Sequence, residues 1–332
     1  MRKYPGMTLR SLPPKDKVSI CFAHGVYQMA ERFAARKTGI AHVQVRTLPE
    51  LEARVPAADV VVVSMMWRNA VIARSPRLAF VQSISAGLDQ YDVPLFRQQG
   101  VRLASGAGVN ANAVSEHAMG LILALKRHIH TGRDHQAAKH WRPMIADIAH
   151  REDELGGKTL VIVGMGRIGS RLALLARAFG MHVIGVKRDT SVGADVAHEI
   201  IATSKLRTVL PRADIVALTC PLTPDTTNLI NADALALMKP TATLINVARG
   251  KVVDEDALIK ALASGRIAAA GLDVTREEPL SVASPLWSMP NVLLTPHTAG
   301  ETQSYEDNVI DILLENLDRL WRSEQTLRNQ VV

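Results

Sequence analysis

Short apolar runs alternate with stretches of helical periodicity along almost the whole chain, the pattern of an α/β protein with parallel sheets. Residues 18–23, 60–64, 79–83 and 102–104 read as strands, and residues 26–37 as a helix, which together predict a first α/β block. A long helix is predicted over 114–126, with Val114, Ala118, Leu121, Ile122 and Leu125 on its apolar side. The polar stretch 128–154 reads as surface or connection. A second block opens at Gly156-Gly157-Lys158, with strands predicted over 159–163, 182–186, 215–218, 243–246, 268–272 and 292–294. A final helix over 305–322 follows this block, and packing it back on the first block would make the first domain discontinuous.

Length and composition narrow the class. The chain has 332 residues, and a domain of about 150 residues gives about two domains. With 47% hydrophobic and 21% charged residues, a disordered chain is excluded. The net charge of +7 admits nucleic acid, an acidic membrane surface or small anions as partners. Aromatics at 4% provide little for base stacking, and no run approaches the ~20 apolar residues of a membrane span. The opening stretch mixes Arg2, Lys3, Arg10, Lys15 and Lys17 with Pro5, Pro13 and Pro14, without the apolar core of a leader. The two cysteines, Cys21 and Cys220, lie far apart and are read as free thiols in a reducing cytoplasm.

The strand 159–163 runs into Gly164-Met165-Gly166-Arg167-Ile168-Gly169 and then a helical segment, and a second strand follows at the spacing of a βαβ unit. Gly164 suits the tight turn, Gly166 a close approach of backbone to a pyrophosphate, and Gly169 close helix–strand packing. Arg167 and Ile168 open the helix, whose amides suit phosphates. The second strand ends in Lys187-Arg188-Asp189, cations where an NAD-binding unit usually has an acid. That favours a 2′-phosphate and hence NADP, while Asp189, one or two residues on, keeps NAD open.

Three later segments carry polar residues straight after apolar strands, where α/β folds place ligands. They are Asn246-Val247-Ala248-Arg249-Gly250, then Gly271-Leu272-Asp273-Val274 with Glu277-Glu278-Pro279-Leu280, then Thr295-Pro296-His297-Thr298-Ala299-Gly300. Taken singly, an Arg there is a surface ion pair and a His a structural residue. Together, in this order and spacing, they resemble the D-isomer-specific 2-hydroxyacid dehydrogenases over nearly the whole chain.

The resemblance implies two doubly wound α/β domains with a cleft between them. A Rossmann cofactor domain (113–295) would be inserted into a flavodoxin-like substrate domain (1–112 with 296–332). It also implies an oxidoreductase moving a hydride between NADP(H) and a small 2-oxo acid of the glyoxylate or hydroxypyruvate type. His297 suits the acid/base, its intrinsic pKa lying near neutrality. The family's Glu directly precedes Pro, which selects Glu278 to orient the imidazole. Arg249 would clamp the substrate carboxylate, and Asp273 would meet the nicotinamide amide. Pro221, Thr226, Val247 and Gly300 complete the expected cofactor contacts; Cys220 stands where many relatives have His. Ser83-Ile84-Ser85-Ala86-Gly87 resembles the substrate loop, whose amides at Ala86 and Gly87 would receive the carboxylate. Met65 and Trp67 read as pocket mouth or as core. The helix 114–126 resembles a dimer-forming segment and is otherwise a core helix, so a homodimer is expected. No metal is expected, His128 and His130 being read as helix surface. Alternatives are an NAD-dependent relative such as phosphoglycerate dehydrogenase, or a nucleotide-sensing corepressor of dehydrogenase-like fold. The long phosphoglycerate dehydrogenases carry a further C-terminal domain, whereas this chain ends soon after its last helix.

Overall fold

The computed structural model describes residues 9–190 and 195–332; Arg2, Lys3 and Pro5 of the basic opening stretch lie outside the described residues. The chain divides into two compact units, Met1–Asn110 with Thr302–Val332, and Ala111–Glu301. Residues 296–301, His297 among them, thus belong to the second unit, and so do residues 111–112.

The first unit is a five-stranded parallel sheet in the order β2-β1-β3-β4-β5, formed by β1 (Ser19–Ala23), β2 (Ala41–Val45), β3 (Val60–Val63), β4 (Phe80–Ser83) and β5 (Arg102–Ala104). β3 is four valines, all buried, because helices cover both faces of a parallel sheet and leave no polar side. One face packs Ile20, Phe22, Val60, Val62 and Phe80 against helices Met29–Ala35 and Tyr305–Trp321. The other packs Cys21, Val61, Val63 and Val81 with Trp67 and Phe96. Trp67 is therefore core, whereas Met65 is exposed. β2, absent from the sequence prediction, is an edge strand in which Ala41 and His42 face solvent.

The second unit is a seven-stranded parallel sheet in the order β12-β11-β10-β9-β6-β7-β8. Its strands are β6 (Thr159–Val163), β7 (His182–Lys187), β8 (Glu199–Ala202), β9 (Ile215–Leu218), β10 (Thr243–Asn246), β11 (Ala269–Leu272) and β12 (Val292–Leu294). The order reverses between β6 and β9, which makes their carboxyl ends the switch point where such sheets bind ligands. Alternate residues of β6 serve two cores, Val161 and Val163 on one face, Leu160 and Ile162 on the other. Helix Ala111–Lys126 packs on the second face against helix Arg167–Ala178, β10 and β11. Val114, Ala118, Leu121, Ile122 and Leu125 are buried within that unit, so its apolar stripe belongs to the core. The connection that follows contains a further helix, Ile129–Ala137, with no buried residue. Both cysteines are free and buried, and no helix among the described residues is long and apolar enough to cross a membrane.

Candidate active site

At the switch point of the second unit lies a cavity of about 630 Å³, walled by the ends of β6, β7 and β9 and by the segments after them. Gly164 has φ +105°, and a Cβ there would stand 2.6 Å from the Cys220 amide nitrogen, so the turn after β6 requires glycine. Gly166 differs. Its backbone is extended, and a Cβ would meet no protein atom within 4 Å. It lines the cavity, so glycine there keeps space open rather than relieving a clash.

Gly166 caps helix Arg167–Ala178 without any side-chain acceptor, and the first intrahelical bond of the turn runs from Ser170 N to Gly166 O. The amides at 167, 168 and 169 point out of the helix end with its positive partial charge. Open space beside Gly166 and this amide cluster fit the pyrophosphate of a dinucleotide. Arg167 is exposed, whereas the Ile168 side chain packs against the core and leaves only its backbone to a ligand. Lys187, Arg188 and Asp189 line the far side of the cavity, and Pro221 and Thr226 the near side. The Thr226 hydroxyl donates to Pro221 O at 2.7 Å and accepts from Thr223 N at 2.7 Å, which fixes the loop after β9. Sequence reasoning did not anticipate Thr203, Ser204 and Asp225 as lining residues. Thr203 and Ser204 follow β8, an edge strand whose weak apolar signal hid the loop as well. Thr219, read from the sequence for its backbone alone, also uses its side chain: its hydroxyl donates to Gly164 O at 2.7 Å, tying β9 to the glycine turn.

Farther along the same sheet edge, Arg249, Glu278 and His297 follow β10, β11 and β12, three neighbouring strands. At about 4.8 Å per strand step, the outer two of these strands lie about 10 Å apart. The His297 ring presents Nδ1 to Glu278 Oε2 at 2.7 Å, and Glu278 Oε1 accepts from Thr275 N at 3.2 Å. That pairing leaves Nε2 as the ring nitrogen for other chemistry. His297 has φ +56°, a region non-glycine residues seldom adopt, and its amide donates to Asp273 O at 2.8 Å.

The Asp273 carboxylate, expected at the nicotinamide amide, is 2% exposed and directed into the histidine loop. It accepts from the Thr295 hydroxyl at 2.6 Å, from Thr298 N at 3.0 Å and from Ala299 N at 3.1 Å. Arg249 Nη1 donates to Ala248 O, and Asn246 Nδ2 holds Arg249 O at 3.0 Å. Among the described residues no carboxylate pairs with Arg249, so its charge is available to an anion. Val247 is buried beside Asn246, and Gly300 ends the histidine loop. Ala86 and Gly87 lie in the first unit after β4, on a loop braced by Ser85, whose hydroxyl donates to Gly87 O at 3.1 Å. No acceptor among the described residues takes their two amides.

Residues 119–299, more than half of the chain, match the family model for the D-isomer specific 2-hydroxyacid dehydrogenase NAD binding domain. The chain belongs to the D-isomer specific 2-hydroxyacid dehydrogenase family. Glyoxylate reductase of Pyrococcus furiosus is 39% identical over 270 residues, which cover 79% of this chain and 79% of that protein. Glyoxylate/hydroxypyruvate reductase B of Yersinia enterocolitica is 38% identical over 250 residues, covering 75% and 76%. The crystal structure of a D-isomer specific 2-hydroxyacid dehydrogenase family protein from Aeromonas salmonicida superposes with a TM-score of 0.82 at 27% identity, over 95% of this chain and 99% of that one. As a D-2-hydroxyacid dehydrogenase, the protein is an oxidoreductase that moves a hydride between a nicotinamide cofactor and small 2-oxo or 2-hydroxy acids.

Proposed function

We propose that the protein is an NADP-preferring reductase of small 2-oxo acids of the glyoxylate and hydroxypyruvate type, forming D-2-hydroxy acids. The observation that carries this reading is the 2.7 Å His297–Glu278 pair, set on the same strand edge as the dinucleotide cavity and the uncompensated Arg249. Bound nicotinamide supplies the hydride. Arg249 holds the substrate carboxylate by charge-assisted hydrogen bonds. His297 presents the proton on Nε2 to the carbonyl oxygen, and Glu278 fixes the orientation of the ring through Nδ1. Asp273 shapes the loop that carries His297, and Val247 and Gly300 form backbone walls for the cofactor. Ala86 and Gly87 are candidate amide donors to the carboxylate.

Lys187 and Arg188 on the cavity wall favour a 2′-phosphate, which carries nearly two negative charges and three acceptor oxygens. Asp189 lines the same wall and supports NAD as the second reading. A homodimer belongs to the proposal. With helix Ala111–Lys126 turned into its own unit, Trp141, Met144 and Ile148 are among the exposed apolar side chains that such a contact would cover. The test is oxidation of NADPH and of NADH against a panel of 2-oxo acids. Faster turnover with NADPH on the two- and three-carbon acids supports the reading. Equal or better use of NADH refutes the cofactor preference, and no turnover of any acid refutes the reductase.

A further inference from the structure

Helix Ala111–Lys126 delivers a polar side chain, His117, to the histidine loop, and none of the sequence motifs accounts for it. His117 Nε2 lies 2.8 Å from Thr295 Oγ1 and 3.6 Å from Asp273 Oδ1. The Thr295 hydroxyl has a single hydrogen, and the 2.6 Å contact with Asp273 Oδ1 takes it, because an ionised carboxylate only accepts. The hydroxyl therefore accepts from His117, which makes Nε2 the protonated ring nitrogen. This donation holds for the neutral and the charged imidazole alike. The chain continues from Asp273 to the amides of Thr298 and Ala299, just beyond His297, while the Asp273 carbonyl takes the amide of His297 itself. Backbone on both sides of a residue at φ +56° is thus anchored on Asp273, and the Asp273 side chain on Thr295 and His117.

We propose that His117 is a positioning residue for the reduction. By donating to Thr295 it sets the direction of that hydroxyl, keeps the Asp273 carboxylate on the loop amides, and holds His297 where Nδ1 meets Glu278. The inference rests on the reading of His297 as the acid/base and adds a residue to its support. A role in packing alone predicts that shape matters and the donor does not; the hydrogen-bond chain predicts the reverse. His117→Gln keeps an N–H donor on a side chain of similar reach, whereas His117→Leu keeps bulk and loses the donor.

The experiment measures kcat, KM for the 2-oxo acid and Kd for NADPH in the wild type, His117→Gln, His117→Leu, Thr295→Val and the His117→Leu/Thr295→Val double variant. A misplacement on the ångström scale costs up to about 100-fold in rate, so His117→Leu and Thr295→Val should each lower kcat by about 10-fold or more. KM and Kd should stay within about twofold, and His117→Gln within about threefold of wild-type kcat. The double variant should be no slower than the slower single, since both break one chain. Wild-type kcat in His117→Leu, equal losses in His117→Gln and His117→Leu, or multiplying losses in the double variant would each overturn the proposal. If His117→Leu does not fold, Thr295→Ser against Thr295→Val decides it: the serine should keep kcat and the valine lose it, and equal rates overturn the chain. A wild type without turnover refutes the reductase reading, a result distinct from an active wild type matched by His117→Leu.

Discussion

Replacing either of two glycines by alanine separates space kept for a ligand from space required by the fold. At Gly166 the backbone is extended, with φ −82° and ψ −163°, and alanine adopts it without strain. An added Cβ touches no protein atom within 4 Å. Alanine is a poorer N-cap than glycine by up to about 1 kcal/mol, and it offsets about 0.4–1 kcal/mol by restricting the unfolded chain. The unliganded Gly166→Ala protein should therefore melt within about 4 °C of wild type. The methyl group projects into the cavity instead, and forcing a methylene-sized group into a tight contact costs about 1–3 kcal/mol. This corresponds to an NADPH Kd raised about 5- to 150-fold. Gly164→Ala behaves oppositely: φ +105° and a 2.6 Å approach to the Cys220 nitrogen make it cost about 1–3 kcal/mol from conformation alone, before any ligand is added. Thermal melts without ligand and fluorescence titration with NADPH measure both effects. Wild-type NADPH affinity in Gly166→Ala would show that the pyrophosphate does not pass this glycine.

Lys187→Ala/Arg188→Ala should lower kcat/KM for NADPH by about 10- to 100-fold, since hydrogen bonds to charged groups are worth about 1.5–3 kcal/mol; NADH should change little, and an unaltered NADPH/NADH ratio would refute the phosphate assignment. Glu199 is hydrogen-bonded by Arg212 and His182 and held down from 4.5 to about 2. Its contribution to stability is complete above about 4.5 and is lost as pH falls toward 2. The stability gap between wild type and Glu199→Gln should therefore close over that window, and a gap that widens with acid would contradict the pairing. Burial pushes the Cys220 thiol up to about 11 and the Cys21 thiol up to about 12. At pH 8 both are thiols, and iodoacetamide should label them only after denaturation; rapid labelling of the native protein would contradict their burial.

Much of the architecture was legible because strands buried on both faces read as short continuous apolar runs, as in Val60–Val63 or Thr159–Val163. β2 and β8 escaped because edge strands bury less and carry polar residues, His42 and Gln44 in one and Glu199 in the other. The glycine turn stood out by its spacing between strand and helix, whereas Arg249, Glu278 and His297 stood out only through the resemblance carried by their three motifs together; the structure brings Glu278 and His297 into contact. Periodicity does not tell which loops converge in space. His117 is the clearest case: 178 residues separate it from Thr295, and on its own helix it looks like any part-buried polar residue. Asp273 showed a related limit, since its position after β11 was readable but the direction of its carboxylate was not.

In the proposed reduction His297, paired with Glu278, supplies the proton as hydride leaves the nicotinamide. A single-turnover experiment tests it most directly: protein saturated with NADPH is mixed with glyoxylate, and cofactor oxidation is followed in wild type and His297→Ala. General acid–base catalysis is worth about 10²–10⁴-fold. The variant should bind NADPH with an affinity within about twofold of wild type and oxidise it slower by that factor. Oxidation at the wild-type rate in His297→Ala would contradict the account.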